Sequence, residues 1–212
     1  VCLLPNRENS HFSLDPFAKE LPNWNGLVFG GSGSGKSFSV AQLMLQFYGQ
    51  EPNPKIIWID NGASSQRILE VLDGEFIDLT LESGISINLF DLDDGELVPS
   101  PSRIKMMLGV LELILKEEDK KGLLKREKAL LEESIFRMYQ IVKDRVPVLS
   151  DLKSILSEHA ETEMRKYAQI LFSWTGDTAY GRMLDRQSNV RLKSDLITIE
   201  IKGCSRFSSV LI

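Results

Sequence analysis

The run Gly30-Gly31-Ser32-Gly33-Ser34-Gly35-Lys36-Ser37 matches G-x-x-x-x-G-K-[ST], the Walker A pattern of a phosphate-binding loop. Glycines let the backbone take positive φ, so successive N–H groups turn into one concavity. Such a concavity cradles phosphates at the positive end of the helix that follows. Lys36 then reaches the β- and γ-phosphates, and the Ser37 hydroxyl is placed to ligate Mg²⁺. By average residue frequencies the four fixed positions occur by chance in about one in a hundred chains of this length. Setting sharpens the reading: the apolar run Leu27-Val28-Phe29 precedes Gly30, and an amphipathic helix begins near Lys36. The dinucleotide fingerprint G-x-G-x-x-G fails, because from Gly31 its third glycine falls on Lys36.

Other groups that could act on a nucleotide are less well placed. Asp60 follows four apolar residues as a Walker B aspartate does. It stands 24 residues after Lys36, on the very next strand, whereas a RecA-like order takes that carboxylate from a later one. A polar residue at a strand's C-terminal end is the simpler reading. Glu200 alternates with Ile199 and Ile201 and is expected on an outward strand face. An apolar run closing in Asp-Glu is absent. Arg182 and Arg186, in a segment hinged by Gly176 and Gly181, are candidates to reach a neighbouring subunit's γ-phosphate, with a surface ion pair as the simpler role. His11 and His159 have no partners at metal or triad spacing.

The elements around the motif follow from periodicity. Residues 1–22, with Pro5, Pro16 and Pro22, suit a loop or edge hairpin around Phe12 and Phe17. Leu27–Phe29 suits a buried strand, and Val40, Leu43, Met44 and Phe47 recur at helical spacing until Gly49. Ile56–Ile59 suits a second buried strand, Ser65–Leu72 a short helix stopped by Gly74, and Glu75–Leu79 and Ile85–Leu89 two further strands. This rhythm is that of a parallel α/β sheet. Ser100 and Pro101 then mark a helix start. The helices expected are 101–115, a second with Leu124, Leu131, Ile135, Met138 and Val142 on one face, a third at Asp151–Ser157 capped by Ser150, and a fourth at Glu161–Phe172. A strand pattern returns at Leu196–Ile199. The expected divisions are a hairpin at 1–22, the first part of a nucleotide-binding core at 23–97, a helical insertion at 98–189 and a return to the sheet at 190–212.

Composition excludes several classes. The chain has 212 residues, 42% hydrophobic and 26% charged, which is globular rather than disordered or disulfide-stapled. The net charge of −5 excludes a uniformly basic nucleic-acid coat. Charge is uneven: Glu51 to Leu97 holds 11 acids and two bases, Arg103 to Arg145 holds 11 bases and eight acids. The alternating run Lys116–Lys128 suits a solvated helix face, with a nucleic-acid or protein contact as its functional alternative. Cys2 and Cys204 suggest neither staple nor metal knuckle, and a reducing compartment fits. The most apolar stretch, Met106–Leu115, is too short and too charged to span a bilayer. Val1 at the start, and the apolar run Val210-Leu211-Ile212 at the end, suggest a piece of a longer protein.

Taken in order, these segments resemble the P-loop domain of the TraC-like conjugative-transfer ATPases of type IV secretion systems. The resemblance is carried by Asn25–Gly30 with the loop through Phe38, Ile59-Asp60-Asn61-Gly62-Ala63-Ser64, Gly74–Leu79, Ile87-Asn88-Leu89-Phe90, Leu149-Ser150-Asp151-Leu152 and Tyr180-Gly181. It runs from about Phe12 to the end, and only the phosphate loop is specific by itself. It implies a RecA-like P-loop NTPase core, α/β with a parallel sheet, interrupted by an all-α insertion and cut before the Walker B strand. It also implies ATP and Mg²⁺ as ligands, a homo-oligomer, usually a hexamer, and other secretion-channel subunits as partners. The place implied is the cytoplasmic face of the bacterial inner membrane. The family's Walker B, glutamine-bearing strand and arginine finger come after the strand near Ile197, so nucleotide contacts are expected of this chain and turnover by it alone is not. Two alternatives stay open: a nucleotide-binding module without turnover, and a small-molecule kinase with the helices as a lid.

Overall fold

A hairpin opens the chain. β1 (Cys2–Pro5) and β2 (His11–Leu14) pair antiparallel, with Cys2 opposite Leu14 and Leu4 opposite Phe12. In the computed structural model the described residues are 2–6, 8, 10–50, 54–62, 64–93, 95–116, 122–190 and 194–202. The expectations for Ala63, the charges at 117–121, Cys204 and the apolar end at 209–212 lie outside them. Two compact units emerge: the chain up to Ile77 together with the strand Leu196–Glu200, and Asp78 onward through the helices.

The first unit is built on α1 (Lys36–Gln50). Its Ala41 and Met44 are buried, as the spacing of apolar residues requires. The Gln46 side-chain amide pairs with β1 like a strand neighbour: Leu3 N–H donates to Oε1 at 2.7 Å and Nε2 donates to the Leu3 carbonyl at 3.0 Å. β3 (Ile56–Asp60), α2 (Gln66–Leu72) and β4 (Glu75–Asp78) follow. Asp73, with φ 54°, ends α2, and the Gly74 N–H reaches the Leu69 carbonyl. β5 (Leu196–Glu200) inserts between β3 and β4, parallel to β3, with Ile56 opposite Leu196 and Asp60 opposite Glu200. Met44, Leu69 and Leu196 form a small core, joined by Tyr48, Ile56 and Trp58.

The second unit is helical. α3 (Pro101–Leu115), α4 (Lys125–Ile141), α5 (Leu149–Ser157), α6 (Thr162–Ile170), a 3₁₀ turn (Leu171–Trp174) and α7 (Gly181–Leu184) surround one dense core. Phe90, Met107, Leu131, Leu152, Met164 and Leu171 are wholly buried in it. Ser100 caps α3 as expected, accepting the Arg103 N–H, with Pro101 in the first turn.

Several expectations are corrected. Leu27–Phe29 is neither strand nor buried: Leu27 is 82% and Phe29 85% exposed. An apolar run becomes a strand only with a ladder partner, and among the described residues none lies beside it. β3 is half buried rather than buried, with Ile57 61% exposed. Ile85–Leu89 forms no strand, because its donors go to no neighbouring strand: Ser86 N–H to Asn189 Oδ1, Ile87 N–H to the Met183 carbonyl in α7, Asn88 N–H to Ser188 Oγ. α5 starts at Leu149 with Val148 as its N-cap residue, and Asp151 rather than Ser150 closes its N-terminus. Asp151 accepts the Val148 N–H at 2.8 Å and both Arg145 guanidinium nitrogens at 2.7 Å, while the Ser150 N–H donates to Asp185. Leu124 is the exposed N-cap residue of α4 rather than part of its buried face.

Candidate functional site

The motif residues Gly30 to Ser37 lie together between irregular chain and the first turn of α1. Gly33 (φ 75°) and Gly35 (φ 87°) take the left-handed backbone that turns consecutive N–H groups the same way. A Cβ on Gly31, Gly33 or Gly35 would meet nothing within 4 Å, so open space adjoins the loop at these positions. A Cβ on Gly30 would lie 2.3 Å from Ser34 Oγ and 3.2 Å from Lys36 Cγ, so the loop packs tightly there. Lys36 bends back over its own loop: Nζ donates to the Gly30 carbonyl at 2.8 Å and the Gly31 carbonyl at 2.7 Å. The ammonium thus stands where a loop of this shape receives phosphate oxygens, held by two neutral acceptors that an anion outcompetes. Ser32 and Ser34 are exposed, and Ser37 is in the first turn of the helix.

The placement of this loop follows from packing within the unit. Met44 and Tyr48 pack with Leu196 and Ile56, the first residues of β5 and β3. From Met44 back to Lys36 is about 12 Å of helix rise. From Ile56 forward to Asp60 is about 13 Å of strand. A helix that leads into the next strand of an α/β layer packs antiparallel to it, and in that packing these lengths bring Lys36 level with Asp60 and Glu200 at the C-terminal edge of the strands, where open α/β sheets take ligands.

Asp60 and Glu200 are both buried there, at 8% and 4% exposure. Asp60 accepts from Asn61 N–H, Ser64 Oγ, Ser65 N–H and Ser65 Oγ, at 2.9 to 3.1 Å. Burial pushes its carboxyl up, but the donors from Ser65, Ser64 and Asn61 outweigh it and hold the group below the usual carboxylate range. Glu200 receives the Gly62 N–H on both oxygens, at 2.9 and 3.2 Å. The outward face expected for Glu200 is therefore corrected: β5 is the central strand, covered on both sides, so alternation does not mark solvent. Asp60 stands at the C-terminal end of β3, as the simpler reading had it, and there it organises a turn. That turn, with Asn61, Gly62, Ser64 and Ser65, is the part of the site that motif reading overlooks. Its signal was the small and polar cluster straight after an apolar strand.

Arg182 and Arg186 belong to the helical unit. Arg186 pairs with Asp177 at 3.1 Å, and Arg182 Nε donates to the Asp177 carbonyl at 3.4 Å, a surface arrangement. Among the described residues no cluster of three or more His, Cys, Asp or Glu could hold a metal ion. A cavity of about 650 Å³ in the helical unit, lined by Leu92, Leu97, Tyr139, Val142 and Pro147, contains none of the motif residues.

Comparison with known proteins bears on the fold and the family. The structure of VirB4 of Thermoanaerobacter pseudethanolicus matches with a TM-score of 0.76 at 19% sequence identity, over 99% of this chain and 59% of that one. The chain therefore has the α/β P-loop fold of that protein and spans 59% of its length. No match is found among curated proteins. The TraG P-loop domain family matches residues 11–176, most of the chain and the whole phosphate loop, and the chain belongs to that family.

Proposed function

We propose that this chain is the nucleotide-binding domain of a type IV secretion motor ATPase, which couples Mg-ATP hydrolysis to assembly of a channel or pilus or to substrate transfer through it. The observation that carries the reading is the Lys36 ammonium folded onto the Gly30 and Gly31 carbonyls above an open, positive-φ loop at a helix start. The residues fit a triphosphate: N–H groups from Gly33 to Ser37 for the phosphates, Lys36 for the β- and γ-oxygens, Ser37 for the metal. Bound Mg²⁺ would supply charge neutralisation on the phosphoryl oxygens. The chain's own part is to bind and orient. Lys36 leaves its carbonyls for the phosphates and offsets charge that grows during transfer. In this role the domain works as a homo-oligomer, hexameric in its RecA-like relatives, with other secretion-channel subunits, on the cytoplasmic face of the bacterial inner membrane. No helix among the described residues is long and apolar enough to cross a membrane.

One observation favours a second reading, nucleotide binding without turnover by this chain alone. The buried carboxylates at the phosphate edge, Asp60 and Glu200, direct oxygens to a turn. Fluorescent mant-ATP binding and phosphate release, each with and without Lys36→Ala, separate the readings. Binding lost in the variant supports the phosphate loop, and binding untouched by it sinks the proposal. Steady Lys36-dependent phosphate release by the chain alone excludes the second reading.

A further inference from the structure

The turn after β3 is held from two strands at once. Asp60 closes β3 and Glu200 closes β5, in register, so two carboxylates lie side by side with little water around them. Burying neighbouring like charges is costly unless each is fully hydrogen-bonded. Among the described contacts, N–H and hydroxyl donors of Asn61, Gly62, Ser64 and Ser65 supply compensation to both. A surface turn that only reverses the chain needs no such reinforcement. The reinforced turn is level with Lys36, by the helix rise and strand length given above. Its leading residue, Asn61, is exposed, and its side-chain amide is bonded to no described residue.

We infer that Asp60 and Glu200 are positioning residues, which hold Asn61 where its side-chain amide donates to the terminal phosphate of a bound nucleoside triphosphate. The inference rests on the phosphate-loop reading and adds discrimination to it. An Asn Nδ2 is a neutral donor suited to a phosphate oxygen, and a diphosphate lacks the oxygens it would meet. The carboxylates do not repel the ligand's charge outright, because oxygens of both are turned to the donors of the turn.

The test is titration of mant-ATP and mant-ADP, each with Mg²⁺, into the chain and its variants. The unmodified chain is expected to prefer the triphosphate. Asn61→Ala should weaken mant-ATP about tenfold and leave mant-ADP within about twofold, the loss of one hydrogen bond to a charged group. Glu200→Ala should reproduce that pattern, add nothing in the double variant, and be partly rescued by Glu200→Gln, which keeps an acceptor for Gly62. A purely structural role would weaken both nucleotides together. Equal loss of both, or no loss of either, in Asn61→Ala overturns the inference; that exposed position keeps the test valid even where Glu200→Ala fails to fold. Absence of binding in the unmodified chain, or binding indifferent to Lys36→Ala, overturns the phosphate-loop reading and this inference with it.

Discussion

Asp60 and Glu200, at the ends of parallel neighbours β3 and β5, clamp the same turn from below: Asp60 holds its first and last residues, Glu200 its second. This arrangement makes the C-terminal edge of the sheet depend on charge as well as on packing.

Acid should therefore weaken the first unit through Asp60. Its folded carboxyl titrates below the ordinary value of 3.8, so the unfolded chain takes up the proton first. The stabilisation is complete above that value and is lost as pH falls through the folded one. Urea unfolding followed by Trp58 fluorescence between pH 7 and pH 3 should show a steeper loss for the unmodified chain than for Asp60→Asn. Equal slopes would remove the carboxylate from the account.

Gly30 and Gly31 should differ sharply although both precede the same loop. A Cβ at Gly30 presses on Ser34 and Lys36, whereas one at Gly31 meets open space. Gly30→Ala is expected to lower mant-ATP affinity about tenfold by displacing Lys36, a loss near 1.4 kcal/mol, while Gly31→Ala leaves folding unchanged. Circular dichroism with the same titration checks both, and equal affinity in the two variants would refute the difference.

The helical unit should bear the larger cost of a core truncation. Leu152 is wholly buried among Phe90, Leu131 and Met164. Leu152→Ala is expected to cost about 2–5 kcal/mol. Met44→Ala, in the smaller cluster with Leu69 and Leu196, should fall at the low end of that range. Thermal unfolding of both variants decides the order.

The loop before α1 was legible as a glycine-rich turn, because Gly33 and Gly35 stand where φ is positive. β3 and β5 were legible as apolar runs, and α3 to α6 from helical spacing and the Ser100–Pro101 start. What failed had a common cause. Apolar character at Leu27–Phe29 and Ile85–Leu89 records a need for cover, not a hydrogen-bonding neighbour, and the neighbours of Ser86 and Asn88 lie about a hundred positions away in irregular chain. Glu200 was misassigned because its partner, the Gly62 N–H, is 138 residues distant. The Asp151 cap was missed because Ser150 offers the commoner cap residue one position earlier, and only the Arg145 and Val148 contacts show which one is used.

The long separation of β3 from β5 also dictates a sequence of events in time. A growing chain presents Ile56–Asp60 well before Leu196–Glu200 exists, and the helices between them are made of local contacts that form fast. Until β5 arrives, β3 lacks the neighbour it pairs with in the finished sheet. A nascent chain thus passes through an interval in which β3 waits for its partner, and that interval is when an unpaired strand most needs shelter from other chains.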